Sequence, residues 1–280
     1  MKLVDPTTPV NQRAWFLVAL ATVVLLICLE APLAAMIVRS LSGEGGFTGE
    51  RWFVDVLQGQ GFWLALARSL GFSLAALLIE LPLGLWIALH TPRRGWGAGV
   101  SLVAMALPLM IPASSIGLMW NAFAVAPDGP LGAADAAGNP VAAWAMLLAM
   151  DAWRWTGLVA LLAYVRLGDV PETLFLTARV DGASGWSIFR HVQLPLLWRT
   201  LLIAALIRFA DSMAAYGDAL VLHGGGPNEA TTLLALELRR YFAPADLGHA
   251  AAAGLVYVAV MLAFARLAFG VFSRNREGAR

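Results

Sequence analysis

The sequence predicts an all-α membrane protein with six transmembrane helices. Of its 280 residues, 60% are hydrophobic and 13% are charged, whereas an ordinary soluble domain is about half apolar and about a quarter charged. The apolar residues are gathered into six blocks, each long enough for the roughly 20 residues that a helix needs to cross a bilayer. Gly, Pro and charged residues separate the blocks and predict loops there.

The six predicted spans belong to a single transmembrane domain that covers residues 1–280. The first apolar block is longer than the core of a signal peptide, so we expect it to be retained as a span. Pro108 and Pro112 predict a kink in the third span, which neighbouring helices can accommodate in a membrane. The predicted spans are residues 14–38, 62–90, 98–125, 141–164, 196–222 and 248–272.

The arginine and lysine residues near the span ends predict the orientation, because cytoplasmic loops carry the excess of these residues. With the N-terminus inside the cell, eleven of them lie on the cytoplasmic side and five on the other side. We therefore expect both termini in the cytoplasm. The loop between spans 4 and 5 is expected on the same side.

Several function classes are excluded by composition. Lys2 is the only lysine, so the chain has no P-loop lysine for nucleotide phosphates and no covalent lysine chemistry in its spans. Cys28 is the only cysteine, which leaves no disulfide framework and no Cys-based metal site. A formal net charge of +1, with arginines scattered over the loops, argues against a nucleic-acid partner. We predict no catalytic residue, no metal site and no cofactor bound by this chain.

A polar stretch, residues 168–195, lies between spans 4 and 5. It is predicted to begin as a short helix and to break at Asp181-Gly182, because Gly tolerates backbone conformations that other residues avoid. It then continues as an amphipathic segment that contains Trp186 and Phe189. The segment is predicted to end before Pro195, because the residue that precedes a proline disfavours helix. The stretch is therefore expected to form a helix, turn and helix at the membrane surface.

This stretch resembles the signature cytoplasmic loop of the permease subunits of ABC importers. That pattern consists of Glu-Ala-Ala, three residues, Gly, nine residues and Ile-x-Leu-Pro. In this chain Gly182 is followed after nine residues by Val192-Gln193-Leu194-Pro195, while Leu176, Thr177 and Ala178 occupy the Glu-Ala-Ala positions. The resemblance implies a coupling loop at residues 168–195. The residues implied in ATPase contact are Leu176, Thr177, Ala178, Asp181, Gly182, Ala183, Val192, Leu194 and Pro195.

The loop after span 5 is similar to that of the carbohydrate-uptake branch, the maltose-transporter-like permeases, in which Gly-Gly-Pro is followed by Thr. Here the glycine loop Gly224-Gly225-Gly226-Pro227 precedes Thr231. The resemblance implies that Gly224, Gly225, Gly226 and Pro227 contact a solute-binding protein. Further runs, including residues 68–73 and 79–84, resemble the permeases for glycerol and related polyols.

The resemblance implies a transport subunit of the bacterial inner membrane and not an enzyme. Its solute is expected to be a sugar alcohol, glycerol or a small sugar. The implied partners are a second permease subunit of different sequence, two cytosolic ABC ATPase subunits, a periplasmic or lipid-anchored solute-binding protein and membrane lipid. ATP and Mg are expected on the ATPase subunits.

Four ionisable residues are expected at one level near the middle of the membrane, namely Asp151 and Arg154 on span 4 and Arg208 and Asp211 on span 5. The helical rise places them roughly 18–24 Å from the cytoplasmic ends of their spans. They form either two pairs within helices, cross-paired contacts between helices, or a site for polyhydroxylated solutes. The candidate substrate path is Asp151, Trp153, Arg154, Trp155, Arg208, Asp211, Tyr216 and Asp218. Glu80 is expected near the cytoplasmic end of its span, explained by snorkelling or a backbone partner.

Two alternatives to an importer permease remain open at this point. The first is a six-span secondary transporter or channel for small polyols, although the only Asn-Pro pair, Asn139-Pro140, falls in an outside loop. The second is an intramembrane serine protease, suggested by Gly182-Ala-Ser184-Gly185. That nucleophile should lie within a span and meet a histidine there, whereas Ser184 lies in a basic loop.

Overall fold

The computed structural model describes residues 12–43, 46–47, 50–126, 128–130, 138–242 and 247–277. Nearly all of these residues are helical, apart from one antiparallel pair of two-residue strands. The predicted cytoplasmic termini fall on residues 1–11 and 278–280, outside the described residues. Chain contacts divide the molecule into two compact units, residues 1–58 with 241–260, and residues 59–240 with 261–280.

The first unit contains α1 (Gln12–Ser40), β1 (Ser42–Gly43), β2 (Gly46–Phe47), α2 (Arg51–Gln58) and the first part of α12 (Leu247–Glu277). The ring of Trp52 anchors it, because its Nε1 donates to the carbonyl oxygen of Ser42 at 3.3 Å and the ring lies 4.2 Å from that of His249. Nε2 of His249 also lies 3.5 Å from a carboxylate oxygen of Asp55. These contacts join α2 to the start of α12.

The second unit contains the remaining helices. The long ones are α3 (Gln60–His90), α6 (Pro140–Gly168) and α9 (Leu194–Met213), with the later part of α12. The shorter ones are α4 (Trp96–Ala106), a 3₁₀ turn (Leu107–Met110), α5 (Ala113–Trp120), a π-helical turn (Asn121–Val125), α7 (Glu172–Val180), α8 (Gly185–Ile188), a second π-helical turn (Phe189–Gln193), α10 (Gly217–His223), a 3₁₀ turn (Pro227–Glu229) and α11 (Leu234–Phe242).

Helix α6 is the centre of the second unit, where it packs against α3, α4, α5, α9 and α10. Two glycines allow the closest approaches. A Cβ atom on Gly157 would lie 2.1 Å from the backbone oxygen of Met105, and one on Gly84 would lie 2.6 Å from Cβ of Val159. Small residues permit such backbone contact between membrane helices, so these two glycines allow α4 and α3 to pack closely against α6.

Five described helices are long and apolar enough to cross a membrane, and a bent pair brings the number to six. The bent pair corresponds to the predicted third span. Its two parts, Trp96–Met110 and Ala113–Ala124, meet at 98° beside Pro108 and Pro112. Ile111, which precedes Pro112, has an extended backbone, as the steric clash with a following proline favours.

The fifth span differs from its prediction at both ends. A continuous helical run begins at Gly185 and passes through Pro195 to Met213, so the predicted stop before Pro195 is wrong. The π-helical turn at Phe189–Gln193 directly precedes α9, whose second residue is Pro195, and such local π-helical adjustments re-satisfy the backbone groups that a proline frees. The predicted continuity up to residue 222 is also wrong, because residues 214–216 separate α9 from α10.

Candidate functional site

Arg208 lies at the centre of a network of carboxylates in the apolar interior. Its side chain is fully buried and donates to three acidic residues. Nε and one terminal nitrogen bind the two oxygens of Glu80 at 2.6 and 2.8 Å. The same terminal nitrogen binds Asp151 at 2.7 Å, and the other binds Asp211 at 2.6 Å. The fork-shaped guanidinium thereby joins α3, α6 and α9.

A second ion pair lies next to this network. The guanidinium of Arg154 lies 3.4 Å from the carboxylate of Asp218, which also accepts the backbone N–H of Ala219 at 2.9 Å in the first turn of α10. The ring of Trp155 faces both guanidinium groups, with its centroid 5.0 Å from Arg154 and 4.6 Å from Arg208. The arginine cluster consists of Glu80, Asp151, Arg154, Trp155, Arg208, Asp211 and Asp218.

The cluster combines two of the arrangements that the sequence allows. Arg208 pairs with Asp211 within α9, three residues apart. Asp151 does not pair with Arg154, its neighbour on α6, but with Arg208 across the helix interface. Charges are costly in an apolar interior unless they are paired, so these cross-pairs fix how α6 and α9 face each other.

The exposure of the carboxylates differs within the cluster. The side chains of Glu80, Asp151 and Asp218 are at most 9% exposed, whereas that of Asp211 is 45% exposed. Asp211 therefore has one side on Arg208 and the other side open. Among the residues that the structure describes, it is the cluster carboxylate with the freest access.

Glu80 is the residue of the cluster for which the prediction from the sequence is wrong. The sequence predicts it near the cytoplasmic end of its span, explained by snorkelling or a backbone partner, but it is fully buried and binds Arg208 with both oxygens. It lies ten residues before the end of α3, about 15 Å from that end. The signal that points to it is a lone carboxylate well inside an apolar helix, which requires a cationic partner.

Trp153 and Tyr216, the other two residues of the candidate substrate path, are not members of the arginine cluster. Trp153 lies 6.2 Å from the ring of Trp120 and lines an open apolar cavity of about 670 Å³ with Phe123 and Pro130. Tyr216 lies in the break between α9 and α10, where its carbonyl oxygen accepts the N–H of Leu220 at 2.8 Å. Its side chain is partly exposed.

The second candidate region is the surface segment, residues 172–193. Its turn between α7 and α8 is closed by backbone bonds from Asp181, Gly182 and Ala183 to the last residues of α7, at 2.9–3.0 Å. Gly182 has φ of 78°, in the left-handed region that favours glycine. Ser184 then caps α8, because its side chain accepts the N–H of Ser187 at 3.2 Å.

The surface segment exposes apolar side chains although its backbone is locally satisfied. Val180 is 87% exposed and Trp186 is 67% exposed, and Leu174 and Leu176 are also exposed. Ile188 is buried and anchors α8. Of the residues implied in ATPase contact, Thr177, Asp181, Gly182 and Pro195 are exposed, and Ala178, Ala183, Val192 and Leu194 are half-buried.

The glycine loop at 224–227 is compact and folds against the following residues. Gly224, Gly225 and Gly226 all have positive φ, and a Cβ atom on Gly225 or Gly226 would lie 2.7 Å from the hydroxyl of Thr232 or Thr231. The N–H of Thr231 donates to the carbonyl of Gly225 at 2.8 Å. Gly225 is buried, Gly226 and Pro227 are half-buried, and the exposed positions are Gly224, Asn228 and Glu229.

Comparison with known proteins identifies the family of this chain. The sequence model of a family described as "Binding-protein-dependent transport system inner membrane component" matches residues 80–277. The trehalose/maltose transport system permease protein MalF of Thermococcus litoralis is 30% identical over 79% of this chain and 78% of its own length. The trehalose transport system permease protein SugA of Mycobacterium tuberculosis is 27% identical over 78% and 75%.

Solved structures show the same fold. A bacterial ABC transporter involved in the import of the acidic polysaccharide alginate matches with a TM-score of 0.79 at 19% identity, covering 94% of this chain and 96% of that chain. The MetNI methionine ABC transporter matches with a TM-score of 0.54 at 18% identity, covering 79% and 95%. The chain belongs to the family of binding-protein-dependent transport system inner membrane components and is an integral membrane permease of an ABC importer.

Proposed function

We propose that this chain is one of two permease subunits that together form the path of a sugar importer. The observation that carries the proposal is the family match over residues 80–277, which includes both the arginine cluster and the surface segment. The second permease subunit is expected to be a different chain. A solute-binding protein is expected to contact the glycine loop, where Gly224 is exposed, as are Asn228 and Glu229 directly after the loop.

The surface segment is the proposed contact with the ATPase subunits, which bind ATP and Mg. Local hydrogen bonds stabilise the turn between α7 and α8. The two helices would therefore move together as a rigid body when an ATPase subunit displaces α7. The exposed apolar side chains of the segment suit a groove on a partner, since burial of such surface drives association. With this assignment the segment and both termini face the cytoplasm.

A carbohydrate is the proposed solute. The relatives are named for trehalose and maltose, for trehalose, and for starch degradation products. These names favour a sugar of two or more units, and the residues that resemble polyol permeases leave glycerol and sugar alcohols as a further prediction. Carboxylates accept hydrogen bonds from sugar hydroxyls, and aromatic rings pack on the apolar faces of sugars.

Asp211 is the proposed solute contact within the arginine cluster. It is the half-exposed member of a network whose other carboxylates are nearly closed off. Glu80, Asp151 and Arg208 are then the frame that holds Asp211 in place. Tyr216, at the break three residues beyond α9, and Trp153, beside an open cavity, are proposed to line other parts of the path.

The Ser184 hydroxyl caps α8 and is not placed as a nucleophile. It accepts the N–H of Ser187, and His191 contacts Ser187 and not Ser184. This supports a capping role for Ser184 and argues against the protease alternative.

Transport by the reconstituted importer tests the proposal. The permease, its partner subunits and the binding protein are placed in proteoliposomes, and uptake of labelled trehalose, maltose and glycerol is measured with and without internal ATP. We expect uptake of a sugar that requires both ATP and the binding protein. Uptake that persists when ATP is left out, or when the binding protein is left out, would contradict the proposal.

The variant Asp211→Asn tests whether Asp211 contacts the solute. It keeps the size of the side chain but removes the charge, so we expect sugar uptake to fall about tenfold or more, equivalent to the loss of one charged hydrogen bond of about 1.5–3 kcal/mol. The complex should still assemble with the ATPase subunits. Asp128→Asn is the matched control, since Asp128 is exposed and lies outside both the cluster and the loop at residues 168–195. Unchanged uptake by Asp211→Asn would remove Asp211 from the path.

A further inference from the structure

A basic cavity lies at the end of the apolar helices beside the surface segment. Its volume is about 650 Å³, within the range of about 300–1,000 Å³ that is typical of ligand sites. Arg93 and Arg94, from the turn after α3, line it from one side, and Arg179 of α7 lines it from another. Among the described residues that line the cavity, three are arginines and none is a carboxylate.

The turn that carries Arg93 and Arg94 contacts the end of α6. The guanidinium of Arg93 lies 5.4 Å from the centroid of the Tyr164 ring, and the hydroxyl of Tyr164 donates to the carbonyl of Pro92 at 3.1 Å. Gly168 leaves room for this arrangement, because a Cβ atom there would lie 3.3 Å from a terminal nitrogen of Arg93. The turn that carries Arg93 and Arg94 is therefore braced against α6.

The rest of the cavity wall is apolar. Leu89, Leu167, Phe175 and Ile188 line it together with the arginines. Leu89 and Leu167 belong to the last turns of α3 and α6, both long enough and apolar enough to span the membrane. The cavity therefore combines arginine side chains with an apolar wall at the ends of two helices that are long and apolar enough to span a membrane.

The geometry points to a binding site for the headgroup of an anionic phospholipid. The phosphate would lie among Arg93, Arg94 and Arg179, and the first part of an acyl chain would follow the apolar wall. Basic pockets between membrane helices bind anionic headgroups, and arginines near the membrane surface strengthen the attraction. A lipid there would contact both the turn after α3 and helix α7, and would thereby stabilise the position of the surface segment.

Native mass spectrometry of the purified importer tests this site. The complex is titrated with phosphatidylglycerol, with phosphatidylcholine of the same acyl chains, and with inorganic phosphate as a soluble competitor. We expect wild-type protein to retain phosphatidylglycerol over phosphatidylcholine, with no displacement by millimolar phosphate. Equal retention of both lipids, or displacement by phosphate alone, would overturn the assignment to a lipid.

Three substitutions locate the site. The combined variant Arg93→Gln, Arg94→Gln and Arg179→Gln is expected to weaken phosphatidylglycerol binding about 30-fold or more, and each single variant about fivefold. Arg166→Gln is the matched control, because Arg166 is an exposed arginine near the same end of α6 that pairs with Asp169. Its lipid binding should stay at the wild-type level. Equal lipid binding by the single variants and wild type would overturn the proposal even if the triple variant does not fold.

The ATPase subunits are the alternative partner for this cavity. If the single variants lose the ATPase subunits in lipid-free detergent while their retention of phosphatidylglycerol is unchanged, the cavity is a protein contact and the lipid proposal is wrong. If they lose phosphatidylglycerol and keep the ATPase subunits, the lipid proposal is supported.

Discussion

The arginine cluster and the surface segment are both polar interruptions of an apolar sequence, but their environments are opposite. Arg208 is fully buried, and its guanidinium donates four short hydrogen bonds to three carboxylates. In the surface segment the backbone is satisfied locally, while Val180 is 87% exposed. The hydrogen bonds of Arg208 are all made within the chain and hold α3, α6 and α9 together, whereas the segment leaves apolar surface that a partner can cover.

Removal of the central guanidinium should give the largest difference between the two regions. Arg208→Gln leaves the buried carboxylates of Glu80 and Asp151 without their cation, so we expect a loss of about 3–5 kcal/mol in the free energy of unfolding. Arg190→Gln, an exposed arginine of the surface segment, should change it by less than about 0.5 kcal/mol. Thermal unfolding of the detergent-purified importer measures both. Similar unfolding temperatures for the two variants would contradict the contrast.

A methyl group should distinguish the regions by packing. Gly157→Ala places a Cβ atom 2.1 Å from the backbone oxygen of Met105, so α6 and α4 must separate at a cost of about 1–3 kcal/mol. Gly185→Ala at the start of α8 has no atom within 4 Å of the added Cβ and should be neutral or slightly stabilising. The same unfolding experiment applies, and a Gly157→Ala variant as stable as Gly185→Ala would show that the close approach is absent.

The parts of the fold that depend on one helix could be predicted from the sequence. The apolar blocks, the break at Gly182 and the kink at Pro108 and Pro112 follow from length and backbone sterics, and the Arg208–Asp211 pair follows from a spacing of three residues. These features need only the neighbours along the chain. The structure shows the helices, the break, the kink and the pair.

The parts that depend on contacts between helices could not be predicted. The pairing of Glu80 and Asp151 with Arg208 requires the relative rotation of α3, α6 and α9, which a single sequence does not give. The break at residues 214–216 contains no Pro or Gly to mark it. The π-helical turn before Pro195 likewise lets a helix continue where steric rules for the isolated chain favour an end.

We propose that the surface segment transmits the movement driven by ATP hydrolysis to the permease through its exposed apolar residues. The most direct measurement is the ATPase rate of the reconstituted importer with sugar-loaded binding protein, for Val180→Asp and for the control Val141→Asp at the exposed start of α6. A buried valine contributes about 1.5–3 kcal/mol, so Val180→Asp should reduce the stimulated rate and uptake about tenfold or more at unchanged thermal stability. Val141→Asp should behave as wild type. Full stimulation and uptake by Val180→Asp would contradict the account.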